Sequence, residues 1–152
     1  MTLTIRPVQQ SDKQRWLQLW KGYLTFYKTD FSAEKTEITW NRLLDPGFNL
    51  YGLVAETDTN IVGMTTFNFQ NSTWSENGQC LLEDLFVDET IRGQGTGRAL
   101  IDAVIIEAKT RGCSRVYWNT DETNETARKL YDSYVLESGK RQYRVPIIQF
   151  FC

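Results

Sequence analysis

Apolar positions recur along this chain at two different periods. Over residues 2–8 polar and apolar side chains alternate, which predicts a short first strand ended by Pro7. Ser11 and Asp12 are helix-start residues. Trp16, Leu17, Leu19, Trp20, Tyr23, Leu24 and Tyr27 follow them at helical spacing. Ser32 predicts the cap of a second helix running to Leu44, where Asp45-Pro46-Gly47 stops it. The period then drops to two. Residues 50–56 and 61–69 are rich in β-branched, aromatic and apolar types, and Asp58-Thr59-Asn60 between them predicts a hairpin. A polar turn over 71–78 and a third apolar run over 79–87 complete an antiparallel meander. Helical spacing returns over 95–111, with Ala99, Leu100, Ala103, Val104 and Ala108 on one stripe and Gly112 as the stop. Residues 115–118 predict a short strand. Thr123 or Asn124 predicts the cap of a helix through Tyr131 to about Tyr134. Residues 142–148 predict a last strand, with Pro146 at an edge or bulge position. The order β-α-α-β-β-β-α-β-α-β predicts an α/β (α+β) fold, a mixed and mostly antiparallel sheet with helices on both faces.

Length and composition narrow this. A chain of 152 residues fits one domain, 1–152, with no repeat or linker. Five tryptophans favour a packed core and some aromatic lining of a cleft. The net charge of −2 comes without any Lys/Arg block, so a nucleic-acid partner is not expected. No apolar run approaches the roughly 20 residues of a membrane span, and no signal peptide opens the chain, so the expected compartment is the cytoplasm. Cys80, Cys113 and Cys152 are odd in number and far apart, against a disulfide framework or zinc ribbon. The absence of histidine excludes imidazole-dependent triads and His-ligated metal, and no metal is expected. Any general base must be a carboxylate, Lys, Tyr, Cys or water.

The most informative stretch runs from Leu85-Phe86-Val87 through Arg92-Gly93-Gln94-Gly95-Thr96-Gly97-Arg98. A strand enters a glycine-rich turn that opens an amphipathic helix. Glycines let the backbone approach a ligand and aim successive N–H groups one way. The helix N-terminus adds unpaired donors and partial positive charge, and Arg92 and Arg98 add full charge. This is the make-up of a pyrophosphate cradle. Gly97 is followed by Arg98-Ala99, so the Gly-Lys-Ser/Thr of a Walker A loop is missing. Position six is Arg98 counted from Gly93 and Leu100 counted from Gly95, so G-x-G-x-x-G fails in both registers.

Arg92-x-x-Gly95-x-Gly97 resembles the R/Q-x-x-G-x-G/A signature of the GNAT acetyltransferase superfamily. Asn124-x-x-Ala127-x-x-Leu130-Tyr131 resembles the family's second signature. The element order is similar over almost the whole chain. The resemblance implies acetyl-CoA lying between splayed fourth and fifth strands. It implies that the backbone of Leu85, Phe86 and Val87 pairs with the pantetheine arm and that the amides of residues 92–97 hold the pyrophosphate. It further implies that Asn124 offers an amide to the cofactor arm and that Tyr131 protonates the departing thiolate. Taken alone, Tyr131 is as readily a packed helix tyrosine.

Glu83 and Asp84 interrupt an otherwise apolar strand, and strict alternation would turn them to opposite faces. An unpaired buried carboxylate is costly, so the pair suggests a cleft. Residues 82–87 resemble a segment of the spermidine/spermine (diamine) acetyltransferase branch, which implies Glu83 as general base; Asp84 is the reserve. A second resemblance, to small histone and polyamine acetyltransferases, rests on Arg42-Leu43-Leu44-Asp45-Pro46, Thr73-Trp74 and Val116-Tyr117-Trp118. Both branches act on flexible cationic amines. Tyr27, Asp30, Glu34 and Asp84 are the candidate substrate contacts, since aromatic faces and carboxylates suit an alkylammonium. The expected activity is direct transfer of acetyl from acetyl-CoA to a small diamine or polyamine. Acetylation of protein lysine tails or N-termini, and non-catalytic CoA binding, are the alternatives. Dimers are common in the family, which leaves a homodimer open. A departure is that Tyr131 is not followed by the Gly-Phe many members carry there.

Overall fold

The computed structural model describes residues 2–147. Strand β1 (Thr4–Pro7) ends at its proline and pairs antiparallel with β2 (Tyr51–Glu56). Strands β3 (Ile61–Ser72) and β4 (Ser75–Val87) continue the antiparallel order, and β5 (Val116–Tyr117) joins β4 in parallel. The result is an open sheet in the order β1-β2-β3-β4-β5. The meander is as expected, but its second hairpin is longer. Both strands run through the stretch read as a polar turn, leaving Thr73-Trp74 at the tip, with Ser72 paired to Ser75. Most side chains of that extension face water, so no apolar alternation marked it.

Helices α1 (Lys13–Phe26) and α2 (Ala33–Leu43) cover one face of the sheet. Ser32 caps α2 as its sequence predicts, its side chain accepting from the Lys35 N–H at 3.1 Å. Trp16 stacks on Trp20 with ring centres 5.3 Å apart and leans on Trp40 at 5.2 Å. These rings pack with Val54, Met64 and Phe86 from the sheet. Neighbouring residues of a strand point to opposite faces, so Gly63 turns away from the side that Met64 fills. A Cβ at Gly63 would lie 3.2 Å from side-chain atoms of Leu100 and Thr96. Both belong to α3 (Thr96–Arg111), which therefore covers the second face and buries Leu100, Ile101 and Val104. Gly112, at φ 77°, ends it.

The β4–β5 ladder consists of Cys80↔Val116 and Leu81↔Tyr117. From Leu82 onward β4 keeps only its β3 neighbour among the described residues, so the sheet opens between the fourth and fifth strands.

The chain divides into two compact units, Met1–Trp118 and Asn119–Cys152. The second holds α4 (Glu125–Asp132), capped by Asn124, whose side-chain oxygen accepts from the Ala127 N–H at 3.3 Å. The strand expected over 142–148 does not form over 142–147, and Ile148 and Cys152 lie outside the described residues. Tyr143, Val145 and Ile147 do alternate, yet all are strongly exposed. A strand needs a partner for its N–H and C=O groups; among the described residues none pairs with this segment, and Pro146 has no N–H to offer.

Candidate active site

The β3–β4 register changes at the carboxylates. Thr66 faces Asp84, but Phe67 faces Leu82, which makes Glu83 the extra residue of a β-bulge. The sequence expectation was that Glu83 and Asp84 would face opposite sides. The bulge breaks the alternation, and both line one cavity of about 390 Å³ beside α1. Trp20, Tyr23, Tyr27 and Phe31 form its aromatic wall, with Trp20 and Tyr23 stacked at 5.4 Å and Tyr23 against Tyr27 at 4.9 Å. Thr29, Thr39 and Thr66 also border it.

Asp84 is held from two sides. The Thr66 hydroxyl donates to its Oδ2 at 2.5 Å, and the Tyr23 hydroxyl also hydrogen-bonds to it. Burial raises the Asp84 pKa above the usual carboxylate value, and these two donors offset only part of that rise. Tyr23 is pushed far up by burial and then by the Asp84 charge, so it stays a neutral donor. Glu83 is freer. Among the described residues its one hydrogen bond is a long one, 3.4 Å, from Asn68 Nδ2. Burial first, and the Asp84 charge second, raise its pKa as well. A carboxylate poised above its ordinary range is a better proton acceptor near neutral pH.

Of the other expected substrate contacts, Tyr27 borders the cavity. Asp30, in the α1–α2 connection, and Glu34, in the first turn of α2, are exposed and not among the lining residues. Trp20, Thr39 and Thr66 went unread in the sequence as site residues. Trp20 sits on a core stripe and Thr66 within a β-branched strand, so neither pattern distinguishes lining from packing.

At the end of β4 the glycine-rich turn has the geometry of a cradle. Gly93 and Gly95 adopt φ 84° and 82°, and no heavy atom lies within 4 Å of where their Cβ atoms would sit. Left-handed backbone with open space above it suits close approach by a ligand. Gly95 precedes α3 and accepts the first helical hydrogen bond, from Ala99, at 3.0 Å. The first turn of an α-helix carries N–H groups that have no intrahelical acceptor, and here that turn opens at Thr96, directly after the two glycines. Thr96 is buried, so its backbone and not its side chain faces the turn. Gln94 and Arg98 are exposed, while Arg92 folds back, its Nε donating to the Val87 carbonyl at 3.1 Å and its guanidinium 5.4 Å from the Phe86 ring centre. Leu85, Phe86 and Val87 lie where β4 has lost its β5 neighbour.

The entry to the turn is pinned to α1. Arg15 Nη2 meets Asp88 Oδ2 at 2.6 Å, and Arg15 Nε donates to the Ile61 carbonyl at 2.8 Å. Asp88 in turn accepts from the Thr90 N–H and hydroxyl, and these contacts hold its pKa below the usual carboxylate value. The donors, the positive helix end and the space above both glycines fit the pyrophosphate of CoA. Asn124 caps α4 and Tyr131 lies on it, both in the second unit. Among the described residues no group of Cys, Asp and Glu side chains is gathered to hold a metal ion, and no helix is long and apolar enough to cross a membrane.

Comparison with known proteins agrees with this layout. Residues 14–134 match the Acetyltransferase (GNAT) family. The chain is 31% identical to the D-amino-acid N-acetyltransferase HPA3 of Saccharomyces cerevisiae, over 93% of this chain and 89% of the yeast protein. It is 30% identical to the spermine/spermidine N(1)-acetyltransferase of Bacillus subtilis, over 58% of this chain and 49% of that protein. Among solved structures, AAC(6')-Iy in complex with the bisubstrate analogue CoA-S-monomethyl-acetylneamine has a TM-score of 0.83 at 18% identity, covering 98% of this chain and 100% of that one. The ribosomal-protein-alanine N-acetyltransferase of Brucella melitensis biovar Abortus 2308 has a TM-score of 0.81 at 22% identity, covering 96% and 100%. At these identities the structures establish the fold, and the family match establishes the chemistry. The chain belongs to the GNAT acetyltransferase family and is an acetyl-CoA-dependent N-acetyltransferase.

Proposed function

We propose that this enzyme transfers acetyl from acetyl-CoA directly to a small cationic amine, a diamine or polyamine. The observation that carries the reading is the pair of carboxylates set by the β4 bulge on the aromatic wall of one cavity. Aromatic faces attract an alkylammonium, and a carboxylate can both pair with it and remove its proton. Bound acetyl-CoA would supply the thioester carbonyl that the amine nitrogen attacks. The amides of residues 92–97, with Arg98, would hold its pyrophosphate, the freed backbone of Leu85–Val87 its pantetheine arm, and Asn124 would add an amide. Glu83 takes the proton that the amine must lose, directly or through water, because it is the less committed carboxylate. Asp84, fixed by Thr66 and Tyr23, holds the ammonium in place. Tyr131 would give a proton to the departing sulfur. Asp30 and Glu34 act further out, where they would anchor a second ammonium; such an anchor weakens with salt. The same reading expects a cytoplasmic enzyme with no nucleic-acid partner and leaves a homodimer open.

The test is an acetyl-CoA turnover screen over polyamines, diamines, amino acids, aminoglycosides and a lysine peptide. The reading expects a diamine to exceed a monoamine of equal length in kcat/KM, by a margin that shrinks at high ionic strength. Activity confined to peptide lysines or N-termini, or CoA binding without turnover, would displace it.

A further inference from the structure

We propose that the acceptor cavity discriminates against carboxylates, so that the enzyme acetylates amines but turns away the free amino acids built on the same skeletons. This rests on the acceptor-site reading above and sharpens it. Among the described residues, those that line the cavity include Glu83 and Asp84 and no Lys or Arg. Its other polar groups are neutral, and two are already committed, since the hydroxyls of Thr66 and Tyr23 bond Asp84. The Trp20 indole N–H is buried and does not open into the cavity.

A carboxylate entering here meets like charge and no cation. Leaving a buried charge unpaired is costly, and like-charge contact strongly disfavours a ligand. An α-amino acid cannot avoid this, because its carboxylate is two bonds from the nitrogen. A longer diamino acid carries the same carboxylate, and it meets the same two acids wherever it lies against this wall. The bulge is what makes the exclusion strong. In a regular strand one of the two acids would face away, and the wall would carry half the charge. Of the cations outside the lining, the Lys35 ammonium is held over the Phe31 ring, 3.9 Å from its centre, and Arg92 is turned to the Val87 carbonyl. The acceptors favoured are those that decarboxylation or amidation of an amino acid produces. The chain is thereby distinguished from its yeast relative, whose name gives D-amino acids as acceptors.

The experiment compares kcat/KM for 1,4-diaminobutane, ornithine and ornithinamide with the full chain at saturating acetyl-CoA and pH 8. Rates are expressed per unprotonated amine, since amidation lowers the amine pKa. Ornithinamide should fall within about tenfold of the diamine, and ornithine at least about 100-fold below its amide. In Asp84→Asn, checked for folding by circular dichroism, the gap between ornithine and its amide should narrow to about tenfold or less. Ornithine within threefold of its amide overturns the inference. So does an amide as poor as ornithine, which would make bulk the cause, or an unchanged gap in folded Asp84→Asn. Absence of acetyl transfer to all three compounds would instead sink the acceptor-site reading beneath it.

Discussion

Glu83 and Asp84 are adjacent, yet their surroundings differ. Asp84 is fixed by two hydroxyl donors, whereas Glu83 has one long hydrogen bond and feels the Asp84 charge. If Glu83 is the base, Glu83→Gln should lower kcat about 10²-fold or more and flatten the acidic limb of the pH–rate profile. Asp84→Asn removes a charge that raises the Glu83 pKa, so in that variant the acidic limb should survive and move to lower pH. A limb lost in Asp84→Asn and kept in Glu83→Gln would reverse the assignment. Tyr131→Phe keeps the ring and removes the proton, so kcat should fall about 10²-fold with little change in CoA affinity, read by single-turnover rates beside a binding titration. The charged pair was legible in the sequence because it broke an apolar strand. That both members share one wall was not, because a bulge depends on the partner strand's register and leaves no mark in its own residues.

Elements capped or broken by their own chemistry were the most legible ones. Ser32, Gly112, Pro7 and Asn124 each sit at the end they predicted, since a cap or stop acts within a turn of itself. The last strand failed for the opposite reason, because its alternation offers a face but pairing is not local. At the glycine-rich turn, Gly95→Val places a β-branched side chain at φ 82°, a strain of about 1–2 kcal/mol, and fills the space above the turn. CoA affinity should drop at least tenfold while the far-ultraviolet spectrum is kept; unchanged affinity in the folded variant would contradict the cradle. The junction of β1 with β2 offers a stability test. Arg6 reaches Asp12 at 2.8 and 2.9 Å and Glu56 at 3.1 Å. Burial pushes Asp12 up, but the Arg6 hydrogen bonds and the Gln9 N–H outweigh it and leave its pKa lowered; Glu56 is lowered mainly by Arg6. Lowered carboxylates contribute stability that is present above their unfolded values of roughly 4 and lost as pH falls through the folded ones. Glu83 and Asp84 have the reverse sign, their contribution present at low pH and lost as pH rises through their raised values. The thermal midpoint should therefore fall on acidification below about pH 4, and Arg6→Gln should lower it at neutral pH and flatten that acid slope. An Arg6→Gln slope equal to the parent's would remove the clamp from the account.

At the scale of the whole molecule, the order of strands and helices was readable almost throughout, the exception among the described residues being the strand expected over 142–148. The proposed chemistry runs without an acyl-enzyme. Cys80 lies in β4 close to the bulge, but it is fully buried, and burial, with Cys113 adding to it, pushes its thiol up to about 12. Such a thiol is a poor nucleophile at neutral pH, so Cys80→Ala should retain most of the parent's kcat. The most direct measurement of the central claim is the initial rate of CoA release from acetyl-CoA as a function of both acetyl-CoA and 1,4-diaminobutane, with the amine product identified by mass. The account predicts amine-dependent CoA release, mono-acetylated diamine, and intersecting double-reciprocal lines from a ternary complex. Parallel lines with acetyl trapped on the protein, or CoA release indifferent to the amine, would contradict it.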